Sequence, residues 1–168
     1  VPSGMLAFSH KEVMASKGRH VPPFKLPCLC IGKTDGQYLL DRLGERGLRV
    51  RVHLKTSSTD HRACNIVGEL PGNTDSQEVV VVGGHYDSWF GGALDNLASQ
   101  GGILELARHF ASLPQEARPR KLIFASIFGH EFGNQGHMTL AEDLRPIKDR
   151  ITCFYDLDGS GSTGWEVD

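Results

Sequence analysis

The chain has 168 residues, 39% of them hydrophobic and 23% charged, enough apolar mass to bury the core of one domain, or of one domain and part of another. Its formal charge of −2, with the basic residues scattered, argues against a nucleic-acid groove and against a basic face for a membrane surface. The longest apolar run, near Val79 to Val82, is far too short to span a bilayer, and the first residues lack the charged start, apolar stretch and cleavage site of a signal peptide.

In chain order, the prolines at 22, 23 and 27 lead into a short apolar run, Cys28 to Ile31, expected as a strand. A helix is expected over Thr34 to Arg46, with Tyr38, Leu39 and Leu43 on one buried face, a cap at Thr34 or Asp35 and a stop at Gly47. Leu48 to Leu54 alternates apolar and polar residues, the pattern of a strand with one wet face. After the polar stretch Thr56 to Asp60, Cys64 to Leu70 reads as a strand closed by Pro71-Gly72.

Glu78 to Gly83 holds four consecutive valines without alternation, as a strand buried on both faces requires. Asn96 to Leu113 is expected as a helix with Ile103, Leu104, Leu106, Ala107, Phe110 and Leu113 inward and His109 in water. Lys121 to Phe128 and Ile151 to Tyr155 are further buried strands, with a helix around Leu140 to Leu144 between them. Strand, helix, strand, helix, strand is the βαβ signature of a mostly parallel sheet with helices on its faces. Of the four cysteines, Cys28 and Cys30 are not spaced as C-x-x-C; all four are expected as free, partly buried thiols, which leaves the compartment open.

The chemistry-bearing residues lie at the ends of the buried strands. His85 and Asp87 come after the first, Asp95 and Asn96 precede the long helix, His130 and Glu131 come after the second, and Asp156 and Asp158 after the third. Glycine, 20 of 168 residues against the usual ~7%, crowds the same places. Open α/β sheets bind ligands outside the carboxyl ends of their strands. Carboxylates gathered there repel one another unless cations lie among them, so a polynuclear metal site is expected. Nitrogen and oxygen donors without thiolate suit zinc, with manganese or cobalt as alternatives. Asp158 competes with Asp156 as a ligand, though an aspartate before glycine serves a turn equally well. His130-Glu131 with His137 is not an H-E-x-x-H motif: on a helix the two histidines would stand ~10 Å apart.

His-x-Asp-Ser at 85–88, Gly-Ala-x-Asp-Asn at 92–96, an acidic position followed by Gly at 131–133 and Asp-x-x-Gly at 156–159 run in order over roughly residues 63 to 165. Together they resemble the co-catalytic di-zinc aminopeptidase and carboxypeptidase family. The resemblance implies a three-layer α/β/α fold with a mixed, largely parallel sheet over residues 59–168. It also implies that residues 1–58 are the latter part of a protease-associated domain. By the same resemblance His85 and Asp156 would hold one zinc, Glu131 the other, and Asp95 would bridge them. Asp87 would hold the His85 ring. The paired ions would acidify a shared water and polarise the scissile carbonyl of a peptide substrate.

Where the family carries Glu-Glu, this chain carries His130-Glu131, so His130 stands in the place of the general base. The family's last zinc-binding histidine falls beyond Asp168, so two ions, one or none are expected here. The implied activity is that of an exopeptidase, whether intact or impaired; the family also holds silent binding modules and single-zinc acyltransferases of the glutaminyl cyclase type. Secretion is common among its members.

Overall fold

The computed structural model describes residues 6–7, 29–53, 55, 59, 62–73, 76–89, 91–131 and 133–161. The chain divides into two units, Val1–His61 and Arg62–Asp168. In the first, β1 (Leu6–Ala7) pairs antiparallel with β2 (Leu29–Cys30), and α1 (Lys33–Leu40) comes next. Cys28, the start of the expected strand, lies outside the described residues. The helix is shorter than the expected Thr34 to Arg46 and begins after Gly32, with no side-chain cap. It buries no residue, and Tyr38 and Leu43 are exposed, so no packing carries it past Leu40. The expected strand over Leu48 to Leu54 does not form among the described residues; Leu54 lies outside them. Leu48, Val50 and Val52 are exposed, and alternation makes a strand only where a core takes up one face.

The second unit is an α/β sheet with helices on both faces. Its strands are β3 (Ile66–Leu70), β4 (Val79–His85), β5 (Lys121–Ile127) and β6 (Ile151–Asp156), in the order β3-β5-β4-β6. β4 runs parallel to both β5 and β6, while β3 is antiparallel to β5, so the sheet is mixed and largely parallel as expected. The strands fall at the expected positions, and β4 and β5 are buried because they are apolar on both sides; β6, expected as buried, is an edge strand whose Thr152, Phe154, Tyr155 and Asp156 are exposed.

One face packs Val82 and Phe124 against Ile103, Ala107 and Phe110 of α2 (Ala98–Ser112). Leu104 and Leu106, also expected inward, are exposed, because only one stripe of α2 meets the sheet. The other face packs Ala125 and Ile127 against Leu140 and Leu144 of α3 (Gln135–Leu144), and Val79, Val81 and Ile123 against Leu144 and Ile147. Each such buried aliphatic side chain stabilises by about 1.5–3 kcal/mol relative to exposure. Cys64 is exposed and Cys153 half-buried, both as free thiols.

The connections place the site. From β4 the chain crosses by α2 to β5 on one side; from β5 it crosses by α3, on the opposite face, to β6 on the other side of β4. The carboxyl end of β4 is thus where the crossovers part, the crevice in which such sheets bind ligands. His85 is the last residue of β4. Among the described residues no helix is long and apolar enough to cross a membrane.

Candidate metal centre

His85 is 1% exposed. Its Nδ1–H donates to the main-chain oxygen of Asp87 at 2.8 Å, which fixes the orientation of the ring. That Nε2 faces Asp95 Oδ1 at 3.1 Å and Asp158 Oδ1 at 3.4 Å. An imidazole nitrogen and two carboxylate oxygens therefore converge, an arrangement that suits a cation.

The Asp87 carboxylate has a different task from the one expected. It lies 3.7 Å from His85 Nδ1, whose hydrogen bond goes instead to the main chain of the same residue. The buried carboxylate accepts the main-chain N–H groups of His130 at 3.1 Å and Glu131 at 3.0 Å. It pins the turn after β5 to the end of β4.

Asp158, not Asp156, meets His85. The β4–β6 register shifts by one residue between Val79 and Val80, so that Gly83 pairs with Asp156. Continued at that offset, the level of His85 falls at Asp158. Asp156 stays two residues short and exposed, and it joins no group of metal-donor atoms among the described residues. Asp95 comes from a short segment, Ala93–Leu97, whose backbone leaves helical geometry at Asp95 and Asn96; the peptide bond between them is cis. Gly92, at φ +48°, leads into it, and a side chain there would collide with Ser88.

Polar bonds hold the Asp158 turn in place. Buried Asn96 donates to the oxygen of Leu157 at 2.9 Å and accepts Gly159 N–H at 3.2 Å. Ser99 and Ser160 bond through their hydroxyls at 2.9 Å. Gly84 lets the turn come close: a Cβ there would lie 2.4 Å from the Leu157 oxygen. On the other side, Gln100 donates to the oxygens of Gly84 and His85, each at 2.9 Å, and accepts from Ser126 of β5 at 2.5 Å. No sequence pattern pointed to these clamps; Trp89, which with Phe90 follows the His-x-Asp motif and is expected from sequence to line a pocket or to pack, donates its indole N–H to Glu131 Oε2 at 2.5 Å. Phe90 beside it lies outside the described residues.

After β5 the chain turns through positive φ at Gly129, Gly133 and Asn134, and α3 begins only at Gln135. His130 and Glu131 therefore sit on a turn, off any helix. The His130 ring stacks on His85, centroids 4.2 Å apart and planes 16° from parallel, and meets His137 edge-on at 5.4 Å. His137 Nδ1 is buried with no hydrogen-bond partner among the described residues. Burial holds this ring below the ordinary imidazole range, opposed by the charge of Asp156.

Two sets of donor atoms lie within 4.8 Å of one another: His85, Asp95 and Glu131, and His85, His130 and Asp158. Imidazole nitrogen and carboxylate oxygen around a buried ring fit a divalent ion of borderline softness. Of the site residues expected from sequence, His85, Asp95 and Glu131 come together as one set, His130 joins through the other, and Asp87 supports the turn that carries both.

Residues 65–168 match peptidase family M28. The mouse (Mus musculus) protein named Aminopeptidase NAALADL1 is 32% identical over 112 residues, 64% of this chain and 14% of that protein. The rat (Rattus norvegicus) Carboxypeptidase Q is 38% identical over 77 residues, 43% of this chain and 16% of that protein. The chain thus spans less than a fifth of either relative. A crystal structure of a peptidase M28 precursor from Shewanella amazonensis SB2B superposes with a TM-score of 0.52 at 28% identity, over 56% of this chain and 22% of that one. With the matched region covering the whole sheet and every residue that faces His85, this chain belongs to peptidase family M28.

Proposed function

We propose that the second unit is the metal-bearing part of a zinc-dependent exopeptidase, hydrolysing a terminal peptide bond of a peptide substrate. One observation carries the reading: His85 Nε2, aimed by the hydrogen bond at Nδ1, meets two carboxylate oxygens within 3.4 Å. His85, Asp95, Glu131 and Asp158 would hold zinc. When bound, zinc would supply Lewis-acid polarisation of the scissile carbonyl and a more acidic water. The chain's own groups orient the donors: Asp87 pins the His130–Glu131 turn, Trp89 aims the Glu131 carboxylate, and Asn96 with Ser99 holds the Asp158 turn. The relatives' names, an aminopeptidase and a carboxypeptidase, support terminal cleavage without choosing the end.

The test offers the full chain free-ended and end-blocked peptides, with zinc and with a chelator. Release of single residues that the chelator stops is expected. A protein that takes up zinc and releases nothing from any peptide sinks the exopeptidase reading. His130 favours a second reading, a silent family member that keeps the fold for binding, because imidazole stands where the family places its base. His130→Glu separates the two. A large gain in hydrolysis points to an impaired enzyme, and no change to a binding module.

A further inference from the structure

We infer that Leu94 is a specificity-determining residue of the proposed metal centre, and that the terminal residue of the peptide carries an apolar side chain seated between Leu94 and the turn at 159–161. The inference rests on the exopeptidase reading and adds to it the class of substrate. Leu94 immediately precedes Asp95, whose Oδ1 stands 3.1 Å from His85 Nε2, and it is 47% exposed. Its side chain reaches the other loop that supplies a donor: a Cβ built at Gly161 would meet Leu94 Cδ1 at 3.9 Å. Gly161 follows closely on Asp158, the second carboxylate before His85. Leu94 thus lies between the two loops whose carboxylates converge on one nitrogen.

Room remains beside it. Among the described residues, a Cβ at Gly159 would touch nothing within 4 Å, and one at Gly161 would touch Leu94 alone. Leu97, on the same segment, is equally exposed and extends the apolar surface. Single exposed leucines are ordinary on a protein surface. Position separates this one from the rest, since one peptide bond, a Cα separation of about 3.8 Å, joins it to a donor. A peptide held with its scissile carbonyl near His85 Nε2 carries the side chain of its terminal residue on the carbon next to the reacting bond, in the neighbourhood of Leu94. An apolar side chain there and Leu94 remove each other's surface from water. A charged side chain would lose hydration against the leucine with no partner in exchange.

Amino-acid hydroxamates test this by binding rather than by turnover, because the hydroxamate group chelates zinc and carries the side chain on the adjacent carbon. The zinc-loaded full chain is titrated calorimetrically with the leucine, alanine and glutamate α-hydroxamates. Acetohydroxamate, which has no side chain, is the reference for the ion itself. Leucine hydroxamate is expected to bind about tenfold tighter than either the alanine or the glutamate compound. Leu94→Ser should bring the leucine and alanine compounds to within about threefold of each other. Leu94→Ala should fall between, and serves if circular dichroism shows the serine variant unfolded. Leucine and alanine hydroxamates that bind alike, or a preference that survives in the folded variants, overturn the inference and leave the exopeptidase reading standing. A chain that takes up no zinc, or takes it up and binds no hydroxamate, overturns both.

Discussion

The Asn96 side chain donates to the main-chain oxygen of Leu157 at 2.9 Å, joining the kink before α2 to the turn after β6 across 61 residues of sequence. Its own oxygen accepts from Gly159, so Asp158 is bracketed by bonds from one buried amide. Asn96→Ala should destabilise the fold by about 1–3 kcal/mol, since buried partners are left unsatisfied. Metal affinity should fall by about tenfold or more as the turn loosens. Denaturant melts and metal titration read the two effects separately; lost stability with unchanged affinity would mean that the amide does not position Asp158.

Asp87→Asn keeps the size of the side chain and removes its charge. The amide can accept from His130 or Glu131 but not both, and hydrogen bonds to charged groups contribute about 1.5–3 kcal/mol each. Hydrolysis should fall by about ten- to a hundredfold, with kcat affected more than KM. An unchanged kcat would show that the turn holds without the carboxylate.

Gly84→Ala sets two effects against each other. Alanine in a strand gains about 0.5–1 kcal/mol from reduced backbone freedom. Its Cβ would meet the Leu157 oxygen at 2.4 Å, and overpacking against backbone costs about 1–3 kcal/mol. The clash should win, visible as a lower urea midpoint together with weaker metal binding.

Trp89→Phe retains the aromatic bulk and deletes one N–H. With Glu131 no longer aimed, turnover should drop about tenfold while the melting temperature changes little. A large fall in melting temperature would instead assign the indole to packing.

For metal-free protein, His137 adds a pH dependence of definite sign. Its folded-state pKa lies below the unfolded value because burial penalises the charged ring. As pH falls, the unfolded chain takes up the proton first, so the contribution is present above about 6.5 and is lost on acidification towards the folded value. Urea midpoints should decline below that point, and His137→Gln should flatten part of the slope. A slope unaltered by the substitution assigns it to other groups.

Much of the second unit was legible because β4 and β5 are apolar on both faces, which marks the buried strands of a parallel sheet, whereas β6 lies at an edge with most of its residues exposed. His85 and Glu131 were legible as residues after strand ends, and Asp95 as one just before the long helix. The choice between Asp156 and Asp158 was not, because it turns on a one-residue register shift between Val79 and Val80 that no side-chain pattern marks. Nor was the Asp87 partner: the hydrogen bond at His85 goes to main chain, which sequence does not distinguish from carboxylate. The pairings of Asn96, Ser99 and Gln100 join residues 15 to 63 apart and depend on the finished register. In the first unit, alternation at Leu48 to Val52 suggested a strand that the folded chain leaves exposed.

The donors around His85 Nε2 are drawn from residues as far apart as 73 positions, and an unfolded chain has nothing comparable to offer an ion. A cation captured there would consequently be a folding ligand. At a free concentration one hundred times its Kd it would add about 2.7 kcal/mol to the stability of the second unit. Heating curves should therefore shift upward with ion concentration, and the supply of metal to the growing chain would set how much of it survives as native protein.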